Sequence, residues 1–144
     1  MESKLMKKNW LVYRITDEAL STAFSRYASG LLADVGCGDK PYREMLRLYV
    51  AHHVGIDHLD TLHDRANIDL LGSAYDIPVS NEYFDSAICT AVLEHLEEPD
   101  KAIKETRRVL KQGGYAIYSS LVLAFARGVA GFFPLYEVRA KILV

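Results

Sequence analysis

From Thr16 onward the apolar positions keep a helical rhythm: Ala19, Leu20, Ala23, Phe24, Tyr27 and Ala28 share one face of an amphipathic helix. Thr16 or Asp17 suits its N-cap and Gly30 its stop. The preceding residues 1–15 mix Lys4, Lys7 and Lys8 with Leu5, Met6, Trp10, Leu11, Val12 and Tyr13 without either period, and read as an arm or lid. After Gly30 the pattern changes. Leu31 to Gly36 is a run ended by glycine and apolar on both faces until Asp34, the mark of a buried strand, and Cys37-Gly38-Asp39-Lys40 forms a tight loop. Pro41 suits the first position of a helix through Tyr42, Met45, Leu46 and Leu48. Further strands are predicted at 54–57, at 67–71 after a polar loop over 58–66, and at 83–90. Pro99 opens a helix with its buried stripe on Ala102, Ile103, Thr106, Val109 and Leu110, which Gly113-Gly114 ends. Tyr115 to Ser119, β-branched and aromatic, is the fifth strand.

Strands alternating with helices predict an α/β fold: a Rossmann-like open, mainly parallel sheet with helices on both faces. Such sheets bind ligands beyond the carboxyl ends of their strands, so functional residues are expected just after each strand. A length of 144 residues fits one domain. Its expected parts are an N-terminal arm and helix (1–30), a core (31–120) and an apolar, divergent tail (121–144). Seventeen basic against nineteen acidic residues give a net charge of −2, so no field draws the chain to nucleic acid, and none is expected as partner. Cys37 and Cys89 lie far apart in unlike contexts, and the N-terminus lacks the apolar core of a secretion signal, so a cytoplasmic location is expected. The stretch 121–136 is broken by Arg127, Gly128, Gly131 and Pro134, and no membrane span is expected.

The candidate chemistry gathers at the strand ends. Gly36 and Gly38 allow the backbone to turn sharply and approach a ligand that the next helix N-terminus faces. Asp57 follows Gly36 by 21 positions, near the spacing of roughly 20 at which an acidic residue meets a ribose in nucleotide-binding βαβ units. A dinucleotide fingerprint wants a third small residue where Pro41 stands, which disfavours NAD or FAD. A nucleoside with an amino-acid tail fits better, with Asp34 serving its cationic end, and the ligand suggested is S-adenosylmethionine (SAM). Taken singly, the glycine loop is also a plain strand-to-helix turn, Asp34 a loop cap, Asp85 a strand-start residue and Ser73 a local turn. His52, His53, His58 and His63 with Asp57, Asp60 and Asp64 lack the spacing of a helical His pair, and no metal site is expected. Lys101, Lys104, Arg107, Arg108 and Lys111 read as a solvated basic flank.

Five blocks in order carry a resemblance: Leu32-Ala33-Asp34-Val35-Gly36-Cys37-Gly38, Val54-Gly55-Ile56-Asp57, Gly72 to Pro78, Tyr83-Phe84-Asp85, and Val92 to Pro99. Arg108 to Gly114 extends it. Together they resemble the class I SAM-dependent methyltransferases, of the methyltransferase type 11-like kind, from about residue 31 to 120. The resemblance implies that 31–120 is the SAM-binding core. It implies that Gly36, Cys37 and Gly38 face the methionine part of SAM with Asp34 at the amino group, and that Asp57 binds the ribose. Ser73 and Ala74 fall where an acidic residue and a small one meet adenine; serine departs from the commoner aspartate, and its hydroxyl is expected to accept from the adenine amino group. Thr90 and Ala91 would lie near the methyl-donating end. His95 is the catalytic candidate, a general base for an acceptor hydroxyl or amine, with a structural histidine as the other reading.

The family's sheet has seven strands, the last two an antiparallel hairpin, and nothing after Ser120 reads as those two. Phe133-Pro134-Leu135-Tyr136-Glu137 resembles a family segment, but Val138 to Val144 diverges, so a C-terminally truncated or frame-altered member is expected. The fifth strand would then be a bare edge, open to self-association there or through the apolar tail. The expected function is methyl transfer from SAM to a small-molecule acceptor, with Trp10, Tyr13 and Arg14 candidates to line the acceptor site. The alternative is a catalytically silent SAM-binding remnant or partner subunit.

Overall fold

A computed structural model describes residues 2–119, with side chains from Arg14 onward; the tail 121–144 and the side chains of Trp10 and Tyr13 lie outside the described residues. The elements are α1 (Glu2–Tyr27), β1 (Leu31–Val35), α2 (Arg43–Leu46), β2 (His52–Asp57), β3 (Leu70–Leu71), β4 (Phe84–Thr90), α3 (Pro99–Val109) and β5 (Leu110–Ser119). Short 3-10 turns at Arg65–Asn67 and Leu93–His95 complete them.

Three boundaries differ from expectation. Helix α1 runs unbroken from Glu2, so Thr16 and Asp17 are interior positions and residues 2–15 are no separate arm. That stretch has no glycine or proline, and its lysines, leucines and methionine are good helix formers even without an apolar period. Helix α2 is a single turn that begins two residues after Pro41, too short to aim a helix N-terminus at a ligand. Strand β5 begins at Leu110, directly after α3, and absorbs Gly113-Gly114 as an irregularity: Phe84 pairs with Leu110, then Ser86 with Tyr115. Gly113 has φ 76°, the left-handed backbone that such a bulge requires.

All pairings within the sheet are parallel, in the order β3-β2-β1-β4-β5. Strand order therefore reverses between β1 and β4, which creates the switch point where open sheets take ligands. Side chains alternate to two cores. Leu32, Ile88 and Ile117 pack under Leu20, Ala23, Phe24 and Ala28 of α1 and Leu46 of α2. On the other face Ala33, Val35, Ala87, Cys89 and Ala116 meet Ile77, Phe84 and Val109. Helices thus cover both faces, as the alternation predicted, and no helix among the described residues is long and apolar enough to cross a membrane.

Two polar ties fix the rear of the sheet. Asp85 accepts from the Leu31 N–H at 2.7 Å and from Lys111 Nζ at 2.8 Å, and so ties the starts of β1 and β5 to β4. Arg108 is no mere solvated residue: its guanidinium donates to the carbonyls of Ile77 and Val79, to Asn81 and to Glu105. The Lys111 hydrogen bond chiefly holds Asp85 below the ordinary carboxyl range, and the Arg108 hydrogen bond does the same for Glu105. Both groups therefore bind protons less readily folded than unfolded, and their contribution to stability is complete above the unfolded value of about 4 and lost as pH falls through the folded ones. Thermal unfolding followed by circular dichroism should show a Tm that holds near pH 6 and declines below about pH 4. A Tm unchanged through that decline would contradict these ties.

Candidate functional site

The carboxyl ends of the strands open on one cavity of about 760 Å³, in the size range of small-molecule sites. Its walls include Gly36, Cys37 and Gly38 after β1, Ile56 and Asp57 at the end of β2, Gly72 to Tyr75 after β3, Thr90 to Val92 at the end of β4, and Ser119 of β5.

The glycine loop is built by backbone geometry. Gly36 has φ 71°, and a Cβ there would meet Val92 Cγ2 at 2.5 Å, so glycine is demanded twice over. The N–H groups of Gly36 and Cys37 both donate to the Ile56 carbonyl, at 2.8 and 3.2 Å, and clamp the loop to β2. The Gly38 N–H donates to Asp57 Oδ2 at 3.1 Å, while Asp57 Oδ1 accepts from the His58 N–H at 2.9 Å. Gly36, Gly38 and Asp57 therefore share one cleft, with the buried carboxylate joined directly to the loop. Each carboxylate oxygen retains a lone pair for a ligand hydroxyl.

Ser73 and Ala74 also line the cleft, but the serine has a second task. Its Oγ accepts from the N–H groups of Tyr75 at 3.2 Å and Asp76 at 3.1 Å, closing a local turn. Both lone pairs are thus engaged, and what the hydroxyl offers a ligand is its proton; the expected acceptance from an adenine amino group does not fit this geometry.

Asp34 stands apart. It is absent from the cavity wall, is buried, and lies 2.6 Å from Nε2 of His53. The alternation of β1 explains this: Asp34 projects to the same face of the sheet as Leu32, toward His53. Arg14 is likewise no part of the wall and pairs along α1 with Glu18 at 3.1 Å. His95 does line the cavity, exposed in the turn after β4, where its own N–H donates to the Val92 carbonyl at 2.9 Å.

Several wall residues were not singled out for this site. Thr16 reaches it from α1, Tyr42 from beside the loop, and Tyr75 from the β3 side with its hydroxyl accepting from the Glu98 N–H at 3.2 Å. The loop at 58–66 folds back over Gly38: His63 Nδ1 lies 2.8 Å from Asp39 Oδ2, and the Asp64 N–H donates to Asp39 Oδ1 at 3.1 Å. His58, Thr61 and His63 consequently face the cavity. Position just after a strand was the usable signal for Tyr75, whereas the return of 58–66 had none. Among the described residues, no group of three or more His, Cys, Asp and Glu side chains is arranged to hold a metal ion.

Both thiols are poor nucleophiles. Burial, reinforced by Asp34 and Asp57, pushes the Cys37 thiol up to about 12, and burial with Asp34 does the same for Cys89. They stay protonated at neutral pH and serve as small apolar groups.

Comparison with known proteins gives this cleft its context. Residues 33–118 match the family described as Methyltransferase domain. A curated relative, an uncharacterized protein of Methanocaldococcus jannaschii, is 26% identical over 114 residues, covering 79% of this chain and 54% of that protein. The ubiquinone biosynthesis O-methyltransferase of Nitrosomonas europaea is 29% identical over 99 residues, covering 61% of this chain and 42% of its own length. The chain thus spans about half or less of these curated relatives. Among solved structures, a protein of Pyrococcus horikoshii OT3 superposes with a TM-score of 0.64 at 25% identity, over 77% of this chain and 55% of that one. Because the family match takes in more than half of the residues, from within β1 to within β5, the chain belongs to the methyltransferase-domain family of class I fold, with S-adenosylmethionine as cofactor.

Proposed function

We propose that the chain transfers a methyl group from SAM to a small-molecule acceptor, with Gly36, Cys37, Gly38, Asp57, Ser73, Ala74 and Thr90 holding the cofactor. The convergence of the glycine loop and Asp57 on one cavity is the observation that carries this reading. The wall fits such a ligand in chemistry as well as size. Glycines at 36 and 38 leave backbone where a side chain would intrude, Asp57 offers acceptors to paired hydroxyls, and Ile56, Tyr75 and Val92 give apolar surface to a flat base. Ser73 would donate its hydroxyl proton to a ring nitrogen. Asp34, off the cavity wall, would act only through the field of its carboxylate. SAM, when bound, supplies a methyl already activated by its sulfonium. The chain's contribution would be alignment and exclusion of water, with His95 taking the acceptor's proton where it has one to lose.

Support for a small acceptor comes from the charge balance, which offers no field for a polyanion, and from the likeness to O-methyltransferases of ubiquinone biosynthesis. We include in the proposal the division into an N-terminal helical part (1–30), a SAM-binding core (31–120) and a tail (121–144), and association of copies through the outer edge of β5. That edge has no strand partner among the described residues, and sedimentation showing monomers at every concentration would remove the last point. The test of function is mass spectrometry of a metabolite extract incubated with the chain and methyl-labelled SAM. A metabolite that gains one labelled methyl supports transfer. SAM binding without any such product would leave a chain that binds cofactor and is catalytically silent.

A further inference from the structure

Lys40 is out of character for its position. It closes the glycine loop, with its N–H donating to the Cys37 carbonyl at 2.8 Å, and it holds φ 50°, a backbone region that favours glycine. Its side chain is buried, with 5% of its surface exposed. The stem crosses Gly55 of β2, where a Cβ would collide with Lys40 Cε, the Asn67 carbonyl and Cys37 Sγ. Through that notch the ammonium donates to the His53 carbonyl at 3.2 Å and to Asp69 Oδ2 at 2.6 Å. The same Asp69 oxygen accepts from the Gly55 N–H at 2.7 Å.

Asp69 immediately precedes β3, whose far end runs into Gly72, Ser73 and Ala74 of the cavity wall. A single ion pair thus straps the loop after β1 to the segment that leads into the loop after β3, across the intervening strand. We propose that Lys40 is a positioning residue for the cofactor: by gripping Asp69 it fixes the spacing between the glycine loop and the Gly72–Ala74 wall before any ligand arrives. The inference rests on the SAM-binding reading above for its consequence, though the strap itself is a property of the ligand-free chain. A buried ammonium is costly to desolvate, and the two oxygens it meets, together with the Gly55 notch that admits it, account for its tolerance here. Burial alone would raise the Asp69 carboxyl, but the hydrogen bonds from Lys40 and Gly55 and the charges of Lys40 and His53 hold it below its ordinary range, consistent with a formed pair.

The test uses Lys40→Met, which keeps the stem and removes the charge, and Asp69→Asn, which releases the strap from its half-exposed end should the first variant fold poorly. Without ligand, hydrogen exchange should accelerate in peptides spanning 36–38 and 72–74 together, and not in β4. Well below each variant's Tm, the Kd for S-adenosylhomocysteine should rise by about tenfold, a typical coupling between contacting residues, and the double variant should lose no more than either single one. Lys40→Arg should recover part of the affinity. Unchanged exchange at both segments would overturn the strap whether or not the cofactor binds. A lowered Tm with an unaltered Kd would reduce Lys40 to a structural role. Accelerated exchange in the variants, while the parent chain binds no S-adenosylhomocysteine, would leave the strap standing and overturn both its role in positioning cofactor and the SAM-binding reading.

Discussion

Asp57→Ala should weaken binding of S-adenosylhomocysteine by roughly thirtyfold to several hundredfold, the loss of about 2–4 kcal/mol expected when charge-assisted hydrogen bonds to two hydroxyls disappear. The carboxylate sits at the end of β2, is 8% exposed, and faces the cavity with a lone pair left on each oxygen. It also accepts from the Gly38 and His58 N–H groups, so the substitution orphans a buried donor in the glycine loop. A stability cost of about 1–3 kcal/mol should therefore accompany the affinity loss. Asp57→Asn separates the two effects in part, since its amide oxygen can still accept from the buried Gly38 N–H while the charge is gone and its NH2 is left facing the His58 N–H. Calorimetric titration of both variants, with Tm measured alongside, should show the asparagine variant between the alanine variant and the parent in stability and still weak in binding. Parental affinity in the alanine variant would remove Asp57 from the site.

The second large effect is expected at Gly36. Alanine there must hold φ 71° and place its Cβ 2.5 Å from Val92 Cγ2, a stiff β-branched neighbour. Backbone strain of about 1–3 kcal/mol adds to the steric displacement, and the displaced element is itself cavity wall. Gly113→Ala is the matched control: φ is 76° but nothing lies within 4 Å of the added carbon, so only the conformational term should appear. Chemical denaturation should find Gly36→Ala clearly the less stable of the two, and ligand titration should find affinity lost in it alone. A second change, Val92→Ala, should restore part of the affinity to Gly36→Ala. Equal stability of the two glycine variants would mean that the close approach to Val92 has no energetic weight.

How far the sequence disclosed this arrangement varied with the physics of each part. The strands of the parallel sheet were legible because burial on both faces leaves mostly apolar runs, such as Leu31 to Val35 around Asp34 and Phe84 to Cys89 around Asp85 and Ser86. Helix α3 was legible from its stripe, of which Ala102, Thr106 and Val109 are buried. Helix α1 was half hidden, since residues 2–15 extend it by propensity rather than period. The glycine loop and Asp57 could be located because strand-end position and spacing both point to them. Asp34 misled, because position along a strand does not say which face a side chain takes until the register is known, and here it turns toward His53. Arg108 looked like one of several solvated bases, yet two carbonyls and two side chains claim it. Neither that nor the passage of Lys40 through the Gly55 notch leaves any local signature, since both depend on residues distant in the chain.

The central claim is that backbone after β1, the carboxylate at the end of β2 and the turn after β3 enclose one adenosyl ligand. Amide NMR of the folded chain titrated with S-adenosylhomocysteine tests it most directly. The account predicts saturable shifts at Gly36, Gly38, Asp57 and Ala74 that fit one common Kd, with the β1 and β4 amides at the far end of the sheet, such as Leu32 and Phe84, unmoved. Shifts confined to one of those wall segments, separate Kd values for them, or no shifts in a demonstrably folded chain would contradict it.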